Sequence, residues 1–235
     1  MRQHQHKAIF LVIALLSLAA GFPAFAADQS CGEPAVDVAE LLLPPPKPNS
    51  LETKAELQEL RRLQRSRTTE KADYARADYH RTLDRFLDPI AIKLHDLPPS
   101  TTEFFECVAH VTEQKVQDAK AIFKRTRPYK LPHNGLRVLK SVGKDDSSSY
   151  PSGHAAYGMV TGLILSAMLP EKSDAIQKRI EDFGYSRLVS GVHFRSDVYA
   201  GQISGAAVAA AFFTSATFRD AFEKAKVDLR KAAGY

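Results

Sequence analysis

Hydrophobic residues recur at the three- and four-residue spacing of amphipathic helices through most of the chain. A leucine stripe over residues 57–63 predicts a helix that begins after Ser50, a typical N-cap residue. A second helical stretch is predicted over about 71–87. A third is expected to begin at a capping box over residues 100–103 and must end before Pro128.

The second half of the chain has the clearer pattern. Residues 129–150 are rich in Gly, Ser and Pro and are predicted to form a loop. Four helices are then predicted, at about 153–169, 174–190, 197–214 and 217–232. Strand signals are almost absent and no internal repeat is visible. The pattern therefore predicts an all-α fold, a single-domain helical bundle.

Two of these helices are strongly apolar, over residues 155–169 and 198–213. Their 15 and 16 residues fall short of the roughly 20 that a membrane-spanning helix needs, and Gly, Ser, Thr and Gln interrupt them. We therefore expect them to be buried helices at the centre of a soluble bundle.

Residues 1–26 have the pattern of a secretory signal peptide. Arg2 and Lys7 precede an apolar run, and Ala-Phe-Ala at the end supplies the small residues that cleavage requires. An uncleaved signal anchor is the alternative. Residues 27–50 end in a proline-rich run and are expected to form an extended N-terminal arm. The folded domain is predicted over 51–235.

The charge pattern gives no sign of a nucleic-acid partner. The formal net charge of +5 falls to +3 once Arg2 and Lys7 leave with the signal, and basic residues alternate with acidic ones. A mildly basic exported protein is compatible with a small anionic substrate. Cys31 and Cys107 can pair in an oxidising compartment or stay unpaired, and neither has metal-ligand spacing.

Candidate chemistry lies in three stretches, of which the first is basic. Lys120 and Arg127 lie seven residues apart, or two helical turns, so both face one side if the helix runs nearly to Pro128. A planar guanidinium beside an ammonium group suits a phosphate. The alternative is a pair of solvated surface cations.

The second stretch, Pro-Ser-Gly-His over 151–154, follows a polar loop and opens an apolar helix. Backbone N–H groups at a helix start lack partners and attract an anion. Gly153 lets the main chain approach closely, Ser152 adds a hydroxyl donor, and His154 is held over the same spot. A plain N-terminal turn with a solvated imidazole is the alternative.

The third stretch contains Arg187 at the end of a helix and His193 in the link to the next one. Asp197, four residues further on, can accept a hydrogen bond from one imidazole nitrogen of His193. Such a bond fixes the tautomer and leaves the other nitrogen free as a nucleophile. A helix-capping contact is the alternative for this pair.

Taken together and in this order, Lys-x6-Arg-Pro, Pro-Ser-Gly-His and Ser-Arg-x5-His-x3-Asp resemble the tripartite signature of the type 2 phosphatidic acid phosphatase (PAP2) superfamily. That superfamily includes bacterial class A non-specific acid phosphatases and vanadium-dependent haloperoxidases. The Leu-Pro-Pro-Pro arm and the C-terminal Ala-Phe-x-Lys-Ala-Lys run are also similar to the class A phosphatases. The resemblance implies a helical bundle of the PAP2 type over 51–235.

The resemblance also implies a role for each matching residue. His193 would attack phosphorus to give a phosphohistidine, Asp197 would orient it, and His154 would protonate the leaving alcohol and then deprotonate water. Phosphate-binding residues would be Lys120, Arg127, Ser152, Gly153 and Arg187. No metal or other cofactor is implied, and vanadate is expected to bind as a phosphate mimic.

The leading hypothesis is a periplasmic acid phosphatase that hydrolyses small-molecule phosphate monoesters, with phosphotransfer to alcohols as a side reaction. A vanadate-dependent haloperoxidase and a non-catalytic, exported phosphate-binding protein are the alternatives. We expect no nucleic-acid partner and no stable membrane insertion after signal cleavage. The N-terminal arm suits a contact with a second subunit of a homo-oligomer.

Three residues beside the motifs depart from the usual class A pattern, namely Ser148, Ala155 and Phe194, the last standing where Trp is usual. We expect these departures to alter the pocket wall and so the substrate preference. The remaining histidines of the mature chain lack comparable neighbours in sequence and are expected to be structural or solvated: His80, His95, His110 and His133.

Overall fold

The computed structural model describes residues 31–139 and 147–235, so the predicted signal peptide over 1–26 lies outside the described residues. The described part of the chain forms α-helices, short 3-10 turns and loops, with no β-strand. The α-helices are α1 (Val38–Leu41), α2 (Leu51–Arg65), α3 (Thr69–Ala77), α4 (Asp84–Leu87), α5 (Pro99–Phe123), α6 (Gly153–Met168), α7 (Ser173–Ser190), α8 (Arg195–Phe212) and α9 (Ala216–Ala232). The predicted all-α fold is confirmed.

The four C-terminal helices, α6 to α9, begin and end within a few residues of the predicted bounds. Local chemistry sets these ends. The Ser152 hydroxyl accepts a hydrogen bond from the backbone at the start of α6, and Ser215 does the same for α9. Gly191 ends α7 in the left-handed conformation, with φ of 77°.

Helix α6 lies at the centre of the bundle and contacts α5, α7 and α8. The α8 backbone approaches α6 closely because Gly201 and Gly205 face it. A Cβ atom at Gly201 would overlap the carbonyl oxygen of Ser152, and one at Gly205 would overlap that of Ala156. The glycines therefore bring the start of α8 beside the start of α6, where the candidate site lies.

The hydrophobic core is continuous from the N-terminal arm to α9. Phe86, Phe183, Phe212 and Phe218 are fully buried within it, and Val38 of the arm belongs to the same cluster. None of the helices in the two described ranges combines the length and the apolar character needed to span a bilayer.

The arm is more structured than the prediction of an extended segment. Its residues 38–41 form the short helix α1, because the Asp37 carboxylate accepts a hydrogen bond from the backbone N–H of Ala39 at 2.8 Å. Cys31 forms a disulfide with Cys107 of α5, which settles the pairing that the sequence left open. The arm therefore packs against the bundle, while the domain boundary at residue 50 stays a prediction.

The predicted helix over 71–87 is wrong. Helix α3 ends at Ala77, and helical structure resumes only at Asp84. Asp78 turns inward at this break and is fully buried. Its carboxylate takes partners from α4 and α7 instead of facing solvent on a continuous helix.

Both predicted ends of α5 also differ. The capping box over 100–103 does not form, because the helix starts at Pro99, whose missing N–H suits the first turn. At the other end, Lys124 adopts the left-handed conformation with φ of 49° and ends the helix four residues before Pro128. Lys120 and Arg127 therefore do not share one helical face.

Candidate active site

His193 lies at the centre of a buried cluster of polar side chains. It belongs to the link between α7 and α8 and is only 2% exposed. Its Nε2 atom lies 3.1 Å from Nη1 of Arg127, which also donates to the carbonyl oxygen of Val192 at 3.2 Å. Arg127 thus reaches His193 from the loop after α5 although it lies outside that helix.

Asp197 occupies the first turn of α8 and faces the other side of the imidazole. Its Oδ2 atom accepts hydrogen bonds from the Phe194 backbone N–H at 2.8 Å and from the Ser149 hydroxyl at 2.5 Å. The same oxygen lies 3.4 Å from Nδ1 of His193. With the carboxylate beside Nδ1 and a cation beside Nε2, the geometry favours a proton on Nδ1 and a lone pair on Nε2.

Arg125 is a buried cation beside Asp197 that the sequence did not reveal. Its Nη1 atom donates to Oδ1 of Asp197 and to the Ser196 hydroxyl, each at 2.6 Å, and its Nη2 atom donates to Glu56 of α2 at 3.0 Å. The guanidinium lies 4.0 Å from the centroid of the Phe194 ring. Burial raises the pKa of Asp197, and the charge of Arg125 opposes that rise.

The other basic residue of the first motif is also buried. Lys120, only 5% exposed, donates to the carbonyl oxygen of Ser148 and lies 3.5 Å from the Ser147 hydroxyl. The Nη2 atom of Arg127 donates to that same hydroxyl at 3.0 Å. Neither cation is therefore a solvated surface residue, and both line the loop that leads into α6.

The second motif forms the start of α6. Ser152 is fully buried, and its backbone N–H donates to the carbonyl oxygen of Asp197 at 2.9 Å. A Cβ atom at Gly153 would lie 3.2 Å from Oε2 of Glu113 and 3.5 Å from Nη1 of Arg81, two residues that form an ion pair. The glycine therefore permits a close approach of the helix start to this charged pair.

His154, the next residue, is half-buried and held by backbone on one side. Its Nε2 atom lies 2.8 Å from the carbonyl oxygen of Tyr79, and its ring stacks on Phe183. Burial lowers the pKa of His154 well below its usual value, and the charge of Arg187 lowers it further. The imidazole is therefore neutral at neutral pH while no anion is bound.

Arg187, near the end of α7, is 1% exposed. Its Nη2 atom donates to the carbonyl oxygen of Ala75 at 3.0 Å, whereas its Nε atom has no hydrogen-bond partner among residues 31–139 and 147–235. Burial lowers the pKa of Arg187 to about 10. A buried guanidinium with an unused donor fits an anionic ligand.

Charged residues from the first and third motifs act on the same imidazole, that of His193. Burial lowers the pKa of His193 well below its usual value, and the charges of Arg127, Lys120 and Arg187 lower it further. His193 in turn is among the charges that lower the pKa of His154. The eight residues singled out from the sequence therefore surround one buried region, and their individual roles stay predictions. In the described ranges, no group of three or more His, Cys, Asp or Glu side chains is arranged to hold a metal ion.

The three residues that depart from the class A pattern are packed beside Arg125 and the start of α8. Ala155 and Phe194 belong to a buried hydrophobic cluster with Leu188, and Phe194 lies against Arg125. The Ser148 hydroxyl lies 3.4 Å from the carbonyl oxygen of Arg125. The four remaining histidines are exposed, as their lack of neighbours in sequence suggested: His80, His95, His110 and His133.

Comparison with known sequences finds one family model and several curated relatives. The PAP2 superfamily matches residues 104–220, which include all three motifs. The non-specific acid phosphatase of Providencia stuartii is 30% identical over 211 residues, covering 84% of this chain and 82% of that protein. The non-specific acid phosphatase of Salmonella typhimurium is 38% identical over 112 residues, which span less than half of either protein, 47% of this chain and 45% of the relative.

Two solved structures share the fold at low sequence identity. A transmembrane PAP2-type phosphatidylglycerolphosphate phosphatase from Bacillus subtilis superimposes with a TM-score of 0.50 at 17% identity, covering 75% of this chain and 89% of that one. A bacterial vanadium-dependent iodoperoxidase superimposes with a TM-score of 0.55 at 16% identity, covering 75% and 53%. At this level of identity, the similarity shows the fold alone.

Proposed function

The chain belongs to the PAP2 superfamily, among the non-specific acid phosphatases, and on that basis we propose that it hydrolyses phosphate monoesters through a phosphohistidine intermediate. The observation that carries the proposal is the setting of His193. Its Nε2 atom faces a cluster of buried cations, while the Asp197 carboxylate lies beside its Nδ1 atom. A nucleophile for a phosphate ester needs this combination of a free lone pair and a site for the anion.

In the bound substrate, the phosphate oxygens accept hydrogen bonds from donors that line the site. Arg187 offers its unused Nε–H, and Arg127 and Lys120 add positive charge next to His193. The Gly153 backbone N–H at the start of α6 and the Ser152 hydroxyl supply further donors. Charge on the transferring phosphoryl group is neutralised in a pocket where water is largely excluded, so each contact is strong.

The reaction then takes two steps at phosphorus. The Nε2 lone pair of His193 forms the N–P bond, the ester P–O bond breaks, and His154 gives its proton to the departing oxygen. In the second step His154 takes a proton from water, the oxygen attacks phosphorus, and the N–P bond breaks to release inorganic phosphate. Asp197 holds the Nδ1 proton and stabilises the charged imidazole between the two steps.

Acidic conditions favour this cycle. His154 must start protonated, yet burial and Arg187 lower the pKa of its imidazole in the free protein. His193 must start neutral, and burial with three neighbouring cations keeps the pKa of its imidazole low. The bound phosphate supplies the negative charge that allows His154 to carry its proton.

The test uses the chain without residues 1–26 and an aryl phosphate as substrate. We expect turnover without added metal, no loss in EDTA, and inhibition by vanadate. His193→Ala is expected to abolish turnover, whereas His110→Ala, an exposed histidine on α5, is expected to retain it. Full turnover by His193→Ala contradicts the proposal.

We also propose phosphotransfer to alcohols as a side reaction, and the N-terminal arm as the contact in a homo-oligomer. A third proposal is export to the periplasm by the predicted signal peptide. The protein recovered from a periplasmic extract should begin near Ala27. An N-terminus at Met1 in a membrane fraction would contradict cleavage.

A further inference from the structure

A turn outside the three motifs holds two residues of the site. Residues 75–79, called here the 75–79 turn, end helix α3 and lead away from it. The carbonyl oxygen of Ala75 accepts from Nη2 of Arg187 at 3.0 Å, and that of Tyr79 lies 2.8 Å from Nε2 of His154. The same turn therefore contacts a phosphate-binding candidate and the candidate acid.

Asp78 fixes this turn to the rest of the bundle. Its buried Oδ1 atom accepts from Nε of Arg85 at 2.9 Å and also pairs with Arg179, and its Oδ2 atom accepts from the Ser186 hydroxyl at 2.5 Å. Arg179 further donates to the carbonyl oxygen of Arg85 at 2.8 Å. One carboxylate thus joins the end of α3 to α4 and α7, and its partner Ser186 directly precedes Arg187 in the sequence.

We propose that Asp78 is a positioning residue for proton transfer, acting through the carbonyl oxygen of Tyr79 on His154. A carbonyl oxygen can only accept, so Nε2 of His154 carries a hydrogen in both protonation states of the ring. Nδ1 is then the atom that gives its proton to the departing oxygen and later takes one from water. This inference rests on the proposed phosphatase function and adds a residue that the signature motifs do not contain.

The expected consequence is a defect that depends on the leaving group. An alkyl phosphate releases a strongly basic alkoxide that needs a proton from His154, whereas a nitrophenyl phosphate releases a weak base that does not. When Asp78→Asn removes the negative charge, Arg85 and Arg179 lose their common partner and the 75–79 turn shifts. A misplaced acid lowers kcat for the alkyl substrate by about 10²-fold and for the nitrophenyl substrate by less than about tenfold.

The experiment measures kcat and KM for both substrates in the wild-type chain, Asp78→Asn and Asp73→Asn. Asp73 makes a matched control, because it lies on α3 five residues before Asp78 and its side chain is 62% exposed. We expect the control to match the wild type on both substrates. An equal loss of kcat on both substrates in Asp78→Asn indicates a general loss of folded enzyme and overturns the proposal.

A second variant covers the case in which Asp78→Asn does not fold. Arg85→Met removes one guanidinium from Asp78 and leaves Arg179 and Ser186 in contact with it. It should show the same selective loss on the alkyl substrate, at about tenfold. An Arg85→Met variant that retains the wild-type ratio of the two kcat values overturns the proposal. A wild-type chain that hydrolyses neither substrate instead refutes the phosphatase function itself.

Discussion

Arg125 gives a quantitative test of the buried charges beneath the site. It is 8% exposed and its partner Asp197 is fully buried, with Nη1 and Oδ1 2.6 Å apart. Arg125→Met keeps an unbranched apolar side chain against the Phe194 ring but removes the cation. The Asp197 carboxylate then retains its hydrogen bonds from Ser149 and the Phe194 backbone and its contact with Nδ1 of His193, but loses its cationic partner Arg125.

The expected loss follows from the burial of this pair. Unit charges about 4 Å apart attract by about 4 kcal/mol at an effective dielectric constant near 20. Removing one partner of a buried ion pair costs about 3–5 kcal/mol, because the remaining charge keeps its desolvation penalty. We therefore expect the free energy of unfolding of Arg125→Met to fall by about 3–5 kcal/mol where Asp197 is ionised.

The pH dependence has a definite sign. Burial already raises the pKa of Asp197 in the folded protein above its unfolded value, and loss of Arg125 raises this pKa further. A group whose folded pKa is raised contributes stability that is present at low pH and is lost as the pH rises through the folded pKa. The stability difference between wild type and Arg125→Met should therefore grow as the pH rises from about 4 to about 8.

Urea unfolding followed by circular dichroism at several pH values measures this difference. Lys93→Met is the matched control, because Lys93 pairs with Asp88 at the surface at 3.4 Å and should change the stability by less than about 0.5 kcal/mol. A loss in Arg125→Met no larger than that of the control would refute the reasoning. So would a difference that shrinks with rising pH.

Three further predictions concern packing, the disulfide and ligand binding. Gly201→Ala should lower the free energy of unfolding by about 1–3 kcal/mol and reduce kcat, because the added Cβ would meet the Ser152 carbonyl at the start of α6. Unchanged stability in urea unfolding would contradict the close contact between the two helices. Replacing both Cys31 and Cys107 by Ser should cost about 2–5 kcal/mol, since the bridge closes a long loop, and the variant should equal the wild type under reducing conditions. Inorganic phosphate should raise the pKa of His154, as measured by NMR titration, because the anion offsets the charge of Arg187. If saturating phosphate leaves the pKa of His154 unchanged, the anion binds elsewhere.

The sequence predicts best those features that local chemistry determines. Helices α6, α7 and α9 have Ser, Gly or Pro residues beside their ends, so their bounds follow from the sequence. The His193 and Asp197 pair likewise follows from a spacing of four residues across the start of α8. These features need no knowledge of distant contacts.

The missed features depend on partners far apart in the chain. The break after Ala77 arises because Asp78 is buried against Arg179, which lies 101 residues further on. Arg125 binds Asp197 at a separation of 72 residues, and nothing in the neighbouring sequence distinguishes it from a solvated cation. Arg127, which was predicted to extend the face of Lys120, reaches the site from a loop instead, because α5 ends at Phe123.

The covalent step at His193 is tested most directly by trapping the intermediate. A brief reaction with an aryl phosphate labelled on phosphorus is quenched, and the labelled peptide is identified by mass spectrometry under conditions that preserve phosphohistidine. We expect the label on His193, and a larger amount in His154→Ala, because that variant lacks the base that activates water for the second step. Label on another residue, or turnover without any labelled protein, would contradict nucleophilic attack by His193.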